Sequence, residues 1–159
     1  MAKKTKQTKT LPIYILNGPN LNLLGVREPE VYGYTTLAQI EQMCAEQAAS
    51  HGLSIVFRQS NREGEIVDHL QEARTAGSAV IINPAGYGHT SIAILDSIQA
   101  CGVPVIEVHL SNIHRREPYR NHSYVSKGAT GIIMGLGAQG YVRAVDAVAQ
   151  ILSAKGKKK

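Results

Sequence analysis

Arg27 and Tyr32 lie in one long loop, and together they could form an oxygen base. A free tyrosine has a pKa of about 10, which is too high for a base at neutral pH. A neighbouring guanidinium favours the phenolate and lowers that value. Most loop tyrosines instead pack their ring and hydrogen-bond their hydroxyl, so the pair alone leaves both interpretations open.

Glu107 and His109 stand two residues apart at the end of a predicted strand, in the segment EVHLSN. Side chains alternate along a strand, so both belong to one face. A carboxylate beside an imidazole fixes its tautomer and raises its proton affinity, which suits a general acid. A histidine bonded to backbone would give the same pattern, and the two residues alone do not decide between these interpretations.

Asn83 and His89 bracket the segment NPAGYGH, and Arg120 lies in RREPYRNH. An asparagine offers both a donor and an acceptor, and an arginine can bind a substrate oxygen with two donors. The loop side chains could equally satisfy their own backbone. For any one arginine of the 115, 116 and 120 group, solvation at the surface is the simpler interpretation.

Other familiar site patterns have little support. His109, His114 and His122 lack metal-ligand spacing, so no metal site is expected. The segment GLGAQG, residues 135–140, matches a dinucleotide fingerprint, but only 19 residues follow it. We interpret it as a strand-to-helix turn. Lys127 lies in a polar loop, a poor setting for a Schiff-base amine.

Alternating strand and helix patterns must position these residues. Short apolar runs predict strands at 11–16, 53–57, 79–82, 103–108 and 131–134. Apolar residues at helical spacing, with threonines as start signals or glycines as stop signals, predict helices at 37–48, 66–73, 92–101 and 142–151. Five alternations without a linker predict an α/β fold with three layers, in which helices cover both faces of a five-stranded parallel sheet.

Residues 17–33 show neither helical nor strand periodicity. A structureless loop of this length is unusual in a compact domain. Leucines and a valine within it favour a functional loop over disorder. In open α/β sheets, ligands bind beyond the carboxyl ends of the strands, where strand order reverses. With a flavodoxin-like strand order, the loops after the first and third strands would be neighbours there.

Composition indicates one globular domain at residues 11–152, with basic tails at 1–10 and 153–159. Hydrophobic residues make up 43% and charged residues 18% of the 159 residues. The net charge is +5, but eight lysines lie in residues 1–10 and 151–159, and the rest carries nine basic and twelve acidic residues. The basic excess is therefore expected in solvated tails, with no structured nucleic-acid site.

The start of the chain has no apolar segment behind its lysines, and no run approaches the roughly 20 residues of a membrane helix. A cytoplasmic location and no membrane association are therefore expected. Cys44 and Cys101 fall inside apolar helical patterns and are expected to be free and buried.

Two other functions fit single features of the chain. A flavodoxin-like nucleotide or flavin binder would explain the fold and the segment GLGAQG. A nucleic-acid-associated protein would explain the lysine tails, with binding that depends steeply on salt. Neither explains why Arg27 and Tyr32 share a long, anchored loop.

Five segments in order give the chain a specific resemblance. They are LNGPNLNLLGVREPEVYG (16–33), QSNREGEIVDHL (59–70), INPAGYGHTSIAILD (82–96), EVHLSNIHRREPYRNHSYVS (107–126) and ATGIIMGLGAQGY (129–141). Together they resemble type II 3-dehydroquinate dehydratase, and the match runs from about residue 11 to residue 152. The resemblance implies a flavodoxin-like fold, a homododecamer built as a tetramer of trimers, and dehydration of 3-dehydroquinate through an enolate without metal, Schiff base or cofactor.

The resemblance also implies a role for each matching residue. Tyr32 would be the base, Arg27 on a mobile lid would favour its ionised form, and Asn20 would orient a water at the enolate oxygen. His109, oriented by Glu107, would be the acid. The implied substrate-binding groups are Asn83, His89, Arg120, the backbone of Leu110 and Ser111, and Asp96 of a neighbouring subunit.

The chain departs from the family pattern at three places. The family's usual NPGAYTH is NPAGYGH here, which exchanges Ala85 and Gly86 and places Gly88 where threonine is usual. Arg62 replaces a histidine, and Leu95 stands beside Asp96 where an arginine is common. These departures affect a loop and a subunit contact, and leave the residues assigned to the chemistry in place.

Overall fold

The structure, a computed structural model, describes residues 10–156. Within these residues it contains five strands and five α-helices; the first two helices follow one another, and the last two strands are joined through 3₁₀ turns. Short 3₁₀ turns occupy several of the connections. The regular elements are β1 Ile13–Asn17, α1 Pro29–Tyr32, α2 Leu37–Ser50, β2 Ile55–Gln59, α3 Glu63–Ala76, β3 Ala79–Asn83, α4 Ile92–Cys101, β4 Val105–His109, β5 Gly131–Met134 and α5 Gln139–Gly156.

The strands form one parallel sheet in the order β2-β1-β3-β4-β5. Alternate residues of β1 enter two separate apolar clusters. Ile13 and Ile15 pack with α2 and α5 on one face, and Tyr14 and Leu16 pack with α3 and α4 on the other. The prediction of a three-layer, flavodoxin-like α/β fold is confirmed.

Local signals in the sequence fix most helix ends. The Thr36 hydroxyl accepts a hydrogen bond from the backbone of Gln39, whose side chain accepts one from the backbone of Thr36, so that α2 begins with a capping box. Gly77 is the C-cap residue of α3, and Gly102 is the C-cap residue of α4. Gly102 has a φ of 74°, a left-handed conformation that glycine adopts without strain.

The structure corrects two parts of the predicted element pattern, the starts of three strands and the content of the first loop. β1 and β2 begin at Ile13 and Ile55, each two residues later than predicted. β4 begins at Val105, later than predicted, because the proline at position 104 has no backbone N–H to donate to the sheet. The first long loop contains a 3₁₀ turn, Leu21–Leu23, and the single helical turn α1. One turn is too short to produce a helical repeat, which explains why residues 17–33 show no periodicity.

The loops after β1 and β3 leave the sheet side by side. Asn17 and Asn83, the last residues of these strands, are register partners. The Gly18 N–H donates to the Asn83 carbonyl at 2.8 Å, and a Cβ on Gly18 would lie 2.3 Å from the Pro84 carbonyl oxygen. Only glycine permits this approach, so the glycine at position 18 allows the two loops to lie side by side.

Residues 10–156 include no helix that is both long and apolar enough to cross a membrane. Cys44 and Cys101 are buried and free, as predicted. The predicted basic tails fall largely on residues 1–9 and 157–159, which lie outside the described residues, while α5 continues to Gly156.

Candidate active site

A polar pocket opens at the carboxyl ends of β1, β3 and β4, where the strand order reverses. Nine of the predicted site residues line it together: Asn20, Arg27, Tyr32, Asn83, His89, His109, Leu110, Ser111 and Arg120. Glu107 lies behind the pocket wall, fully buried. Asp96 is exposed on α4 and does not reach the pocket of its own chain.

Tyr32 ends the short helix α1 and lies between two guanidinium groups. The Arg116 Nη1 group donates a hydrogen bond to the Tyr32 hydroxyl at 2.7 Å. The Arg27 guanidinium carbon lies 5.6 Å from the ring centroid, and its Nη2 is 3.4 Å from a Glu28 carboxylate oxygen. Two positive charges next to the phenol stabilise negative charge on its oxygen, and Arg116 makes the direct contact.

His109 and Glu107 form a buried pair at the end of β4. His109 Nε2 lies 2.7 Å from Glu107 Oε1. Burial acts to raise the pKa of Glu107, but hydrogen bonds from His109, Ser123 and Ser126 outweigh it and hold the pKa below its usual value. An ionised carboxylate only accepts hydrogen bonds, so His109 must carry its proton on Nε2.

Asn83 is held by a buried chain of hydrogen bonds beneath the pocket. Its Nδ2 group donates to the Tyr141 hydroxyl at 2.9 Å, and that hydroxyl donates to Asn17 Oδ1 at 2.7 Å. Burial raises the pKa of Tyr141, which therefore stays a phenol. The Ala85 N–H donates to Asn83 Oδ1 at 3.1 Å. The amide is fixed in orientation and still has one N–H and one lone pair for a ligand.

His89 is fixed by reciprocal bonds with His122. The Nδ1 atom of His89 lies 2.7 Å from the His122 carbonyl, and the Nε2 atom of His122 lies 3.0 Å from the His89 carbonyl. Burial lowers the pKa of His89, and the charges of His109 and Arg120 act in the same direction. A neutral His89 that donates from Nδ1 keeps its Nε2 lone pair as an acceptor for a hydroxyl.

Asn20 occupies a left-handed conformation with a φ of 67°, which asparagine tolerates better than most residues. Its backbone N–H donates to Asn61 Oδ1 at 3.0 Å. The Asn61 carbonyl in turn accepts a hydrogen bond from the Tyr87 hydroxyl at 2.7 Å. The loops after β1, β2 and β3 are therefore tied together at the pocket rim.

The remaining pocket groups come from the segment that follows β4. Leu110 and Ser111 lie directly after His109 and line the pocket. The Arg120 Nε group donates to a Glu117 carboxylate oxygen at 3.0 Å, which anchors the guanidinium beside the pocket. The segment GLGAQG forms the turn between β5 and α5, as predicted, and contributes no residue to this pocket.

Ala85 departs from the family pattern at a position that strains the backbone. It has a φ of 50°, in the left-handed region, whereas Gly86 has no positive φ and would leave a Cβ without any neighbour within 4 Å. A left-handed conformation costs a residue with a Cβ roughly 1–2 kcal/mol. The exchange of alanine and glycine thus places each residue where the other fits better.

We expect the double variant Ala85→Gly/Gly86→Ala to raise the free energy of unfolding by about 1 kcal/mol. Glycine relieves the strain at position 85, and alanine at 86 reduces the entropy of the unfolded chain. Chemical denaturation followed by circular dichroism measures the change, with Gly64→Ala, on exposed helix α3, as a control for helix propensity alone. A double variant less stable than the parent would contradict the assigned strain.

Arg116, Ser123 and Ser126 belong to the site but carry no sequence signal of their own. Arg116 follows Arg115 in a run of basic residues whose expected position is the surface, yet its side chain is only 14% exposed. The two serines lie in a polar connection without periodicity. Their partners, Tyr32 and Glu107, are distant in sequence, so only the folded chain brings them together.

The fold and the pocket together define a doubly wound α/β protein with a polar pocket at its strand-order switch point. Comparisons with known proteins give the family. Residues 11–149 match the model of the family described as dehydroquinase class II. The chain belongs to the class II dehydroquinase family.

Individual relatives agree with this assignment. The chain is 58% identical over 144 residues to 3-dehydroquinate dehydratase of Streptomyces coelicolor, covering 90% of this chain and 92% of the relative. It is 57% identical over 143 residues to that of a Caulobacter species, covering 90% and 97%. The crystal structure of type II dehydroquinase from Propionibacterium acnes superposes with a TM-score of 0.85 at 41% identity, covering 89% and 97%.

Proposed function

We propose that this protein dehydrates 3-dehydroquinate to 3-dehydroshikimate by an anti elimination through an enolate. The main support is that Tyr32 and His109 line the same pocket. The Arg116 guanidinium donates to the Tyr32 hydroxyl, and His109 is hydrogen-bonded to the buried Glu107 carboxylate. A base and an acid on one small pocket are what an elimination of water requires.

In the proposed reaction, the Tyr32 phenolate takes the C2 proton of the substrate, and the electron pair forms an enolate. Arg116 and Arg27 stabilise the phenolate by charge. A water oriented by Asn20 donates to the enolate oxygen. His109 keeps its Nε2 proton on Glu107 and gives a second proton, carried on Nδ1, to the C1 hydroxyl. The hydroxyl leaves as water while the enolate collapses to the conjugated product. Proton transfer from Tyr32 to His109 through solvent restores both groups.

The binding groups follow from the same geometry. Asn83 retains one donor and one acceptor, and His89 retains one acceptor, which suits the hydroxyls of a polyhydroxylated ring. We assign Arg120 to the same task, and the backbone of Leu110 and Ser111 to the substrate carboxylate.

We further propose that Asp96, which is exposed on α4, completes the pocket of a neighbouring subunit in a dodecamer made of four trimers. The reaction would serve the shikimate pathway or quinate breakdown in the cytoplasm, since both routes contain the same dehydration.

The test is ultraviolet absorbance after addition of 3-dehydroquinate, because elimination creates a conjugated enone acid. Absorbance should rise, and the rise should survive both a chelator and borohydride. The control variant Lys127→Ala should match the parent, since Lys127 lies outside the pocket with its amine 5.5 Å from the Tyr124 ring centroid. No rise with folded, oligomeric protein would contradict the proposed function.

A further inference from the structure

The Glu107 carboxylate is bound by more donors than the pairing with His109 requires. Oε1 accepts from His109 Nε2 at 2.7 Å and from the Ser123 hydroxyl at 2.5 Å. Oε2 accepts from the Ser126 hydroxyl. Glu107 is fully buried and Ser123 is 7% exposed, so these bonds are made in a site largely closed to water.

The two serines come from the connection between β4 and β5, outside the strand that carries Glu107 and His109. Ser126 lies in the 3₁₀ turn Val125–Lys127, whose apolar residue Val125 is fully buried against α4. The Tyr124 N–H donates to the Gly88 carbonyl at 2.7 Å, which ties the same connection to the loop after β3. The hydroxyls are thus held in place by packing and by backbone bonds.

We propose that Ser123 and Ser126 are positioning residues for the acid: they hold Glu107 as a carboxylate, which fixes the His109 tautomer with Nδ1 available to the pocket. This inference rests on the proposed function for its catalytic consequence. Its structural content, the charge on Glu107 and the tautomer of His109, does not depend on the substrate.

Loss of the Ser126 hydroxyl would leave a Glu107 carboxylate oxygen without a hydrogen-bond donor, and this is the physical basis of the proposal. Within the described residues, Ser126 provides the hydrogen bond given to Glu107 Oε2. A buried charged oxygen without a donor is unstable, and the carboxyl can avoid this by taking up a proton. A protonated Glu107 no longer requires a donor at His109 Nε2 and no longer stabilises a positive imidazole ring.

Few other charged groups lie close enough to influence the ionisation of the Glu107 carboxyl. Its register partners are Ile82 on β3 and Ile132 on β5. Among the described residues, His109 is the titratable group bonded to the carboxylate, and His89 lies beyond it with ring centroids 6.4 Å apart.

Helix α3 lies on the same face of the sheet as Glu107. Its side chains Glu65, Asp68, Glu72 and Arg74 are exposed, and Glu63 and His69 are half-buried. Helix α4 has Asp96, which is exposed, and Cys101, which bonds the Leu70 carbonyl. Beside the 3₁₀ turn, Lys127 is exposed and its amine lies over the Tyr124 ring. The hydroxyls therefore decide the ionisation of Glu107 together with His109.

The test compares Ser126→Ala with the parent by infrared titration and by kinetics. On acidification, the carbonyl band of a buried protonated carboxyl should appear, and its absence from Glu107→Gln assigns it to Glu107. Loss of a donor destabilises the charged form, so the band should appear at a higher pH in Ser126→Ala. As the pH falls, dehydration activity should be lost at a correspondingly higher pH, with kcat about tenfold lower, comparable to loss of one hydrogen bond to a charged group.

The Michaelis constant should change little, because Ser126 does not line the pocket. Ser126→Thr, which keeps the hydroxyl, should restore the pH profile. Ser50→Ala is the matched control, since that hydroxyl bonds the Gln47 carbonyl at the exposed end of α2. Its titration and kinetics should match the parent.

The two readouts separate this inference from the proposed function. An unchanged infrared midpoint in Ser126→Ala would overturn the inference whatever the activity. A uniform fall in kcat at all pH values with that unchanged midpoint would reduce the serine to a structural role. A shifted midpoint in a protein that leaves 3-dehydroquinate unchanged would support the inference on Glu107 and overturn the proposed function.

Discussion

Tyr32→Phe should lower kcat for dehydration of 3-dehydroquinate by a factor of about 10³, within the 10²–10⁴ that a positioned base contributes. The variant removes the phenolic oxygen to which the Arg116 Nη1 group donates and leaves the ring in place. The Arg27 and Arg116 guanidinium carbons lie 5.6 and 5.2 Å from the ring centroid, contacts that phenylalanine can keep. Substrate binding should therefore change by only a few fold.

Steady-state kinetics and calorimetric titration with substrate measure the two effects separately. Exchange of the C2 proton with deuterated solvent adds a direct readout of the base, and it should disappear in the variant. Tyr34→Phe is the matched control, because Tyr34 is two residues away and 79% exposed. If Tyr32→Phe kept most of its turnover, another group would have to be the base.

The fold could be predicted largely from the sequence because its signals are local and repeated. Buried apolar runs such as residues 79–82 and helix signals such as Thr36 and Gly102 depend on nearest neighbours along the chain. Their alternation limits the sheet to a parallel arrangement. The short helix α1 is not predicted, because four residues are too few to show a helical repeat. Pro29 is a helix start signal, but no apolar stripe follows it.

The position of the candidate site could also be predicted from local signals, but the orientation of its side chains could not. Asn83 and His109 are expected at the pocket because each lies at the end of a strand, and His89 because it lies in the loop after β3. The parallel sheet brings these strand ends to one edge, and all three residues line the pocket. Whether a given side chain faces the pocket, lies behind it like Glu107 or points away like Asp96 depends on packing. The roles of these residues stay predictions until variants are measured.

Arg116 shows why part of the site could not be predicted. The sequence places it between Arg115 and Glu117, where an exposed basic residue is the ordinary outcome. Its contact with Tyr32 spans 84 positions of sequence and depends on how the connection after β4 folds over the first loop. Residue type and local spacing contain no information on such a contact.

Arg116→Ala should consequently be the second most damaging change, with kcat lower by about 10²-fold, the low end of the effect of removing one preorganised donor to a developing negative charge. Without the guanidinium, the phenolate of Tyr32 loses its direct hydrogen-bond donor. Arg116→Lys should recover less than full activity, since an ammonium group lacks the planar guanidinium geometry.

The neighbouring residue offers the control for this prediction. Arg115 has the same charge and an exposed side chain, so Arg115→Ala should stay within about twofold of the parent if charge near the pocket is not enough. Arg27→Ala, measured in the same assay, separates the contributions of the two guanidinium groups beside Tyr32. If Arg27→Ala were inactive while Arg116→Ala kept a normal kcat, the charge that activates Tyr32 would come from Arg27. The hydrogen bond from Arg116 would then serve only to hold Tyr32 and the first loop in place.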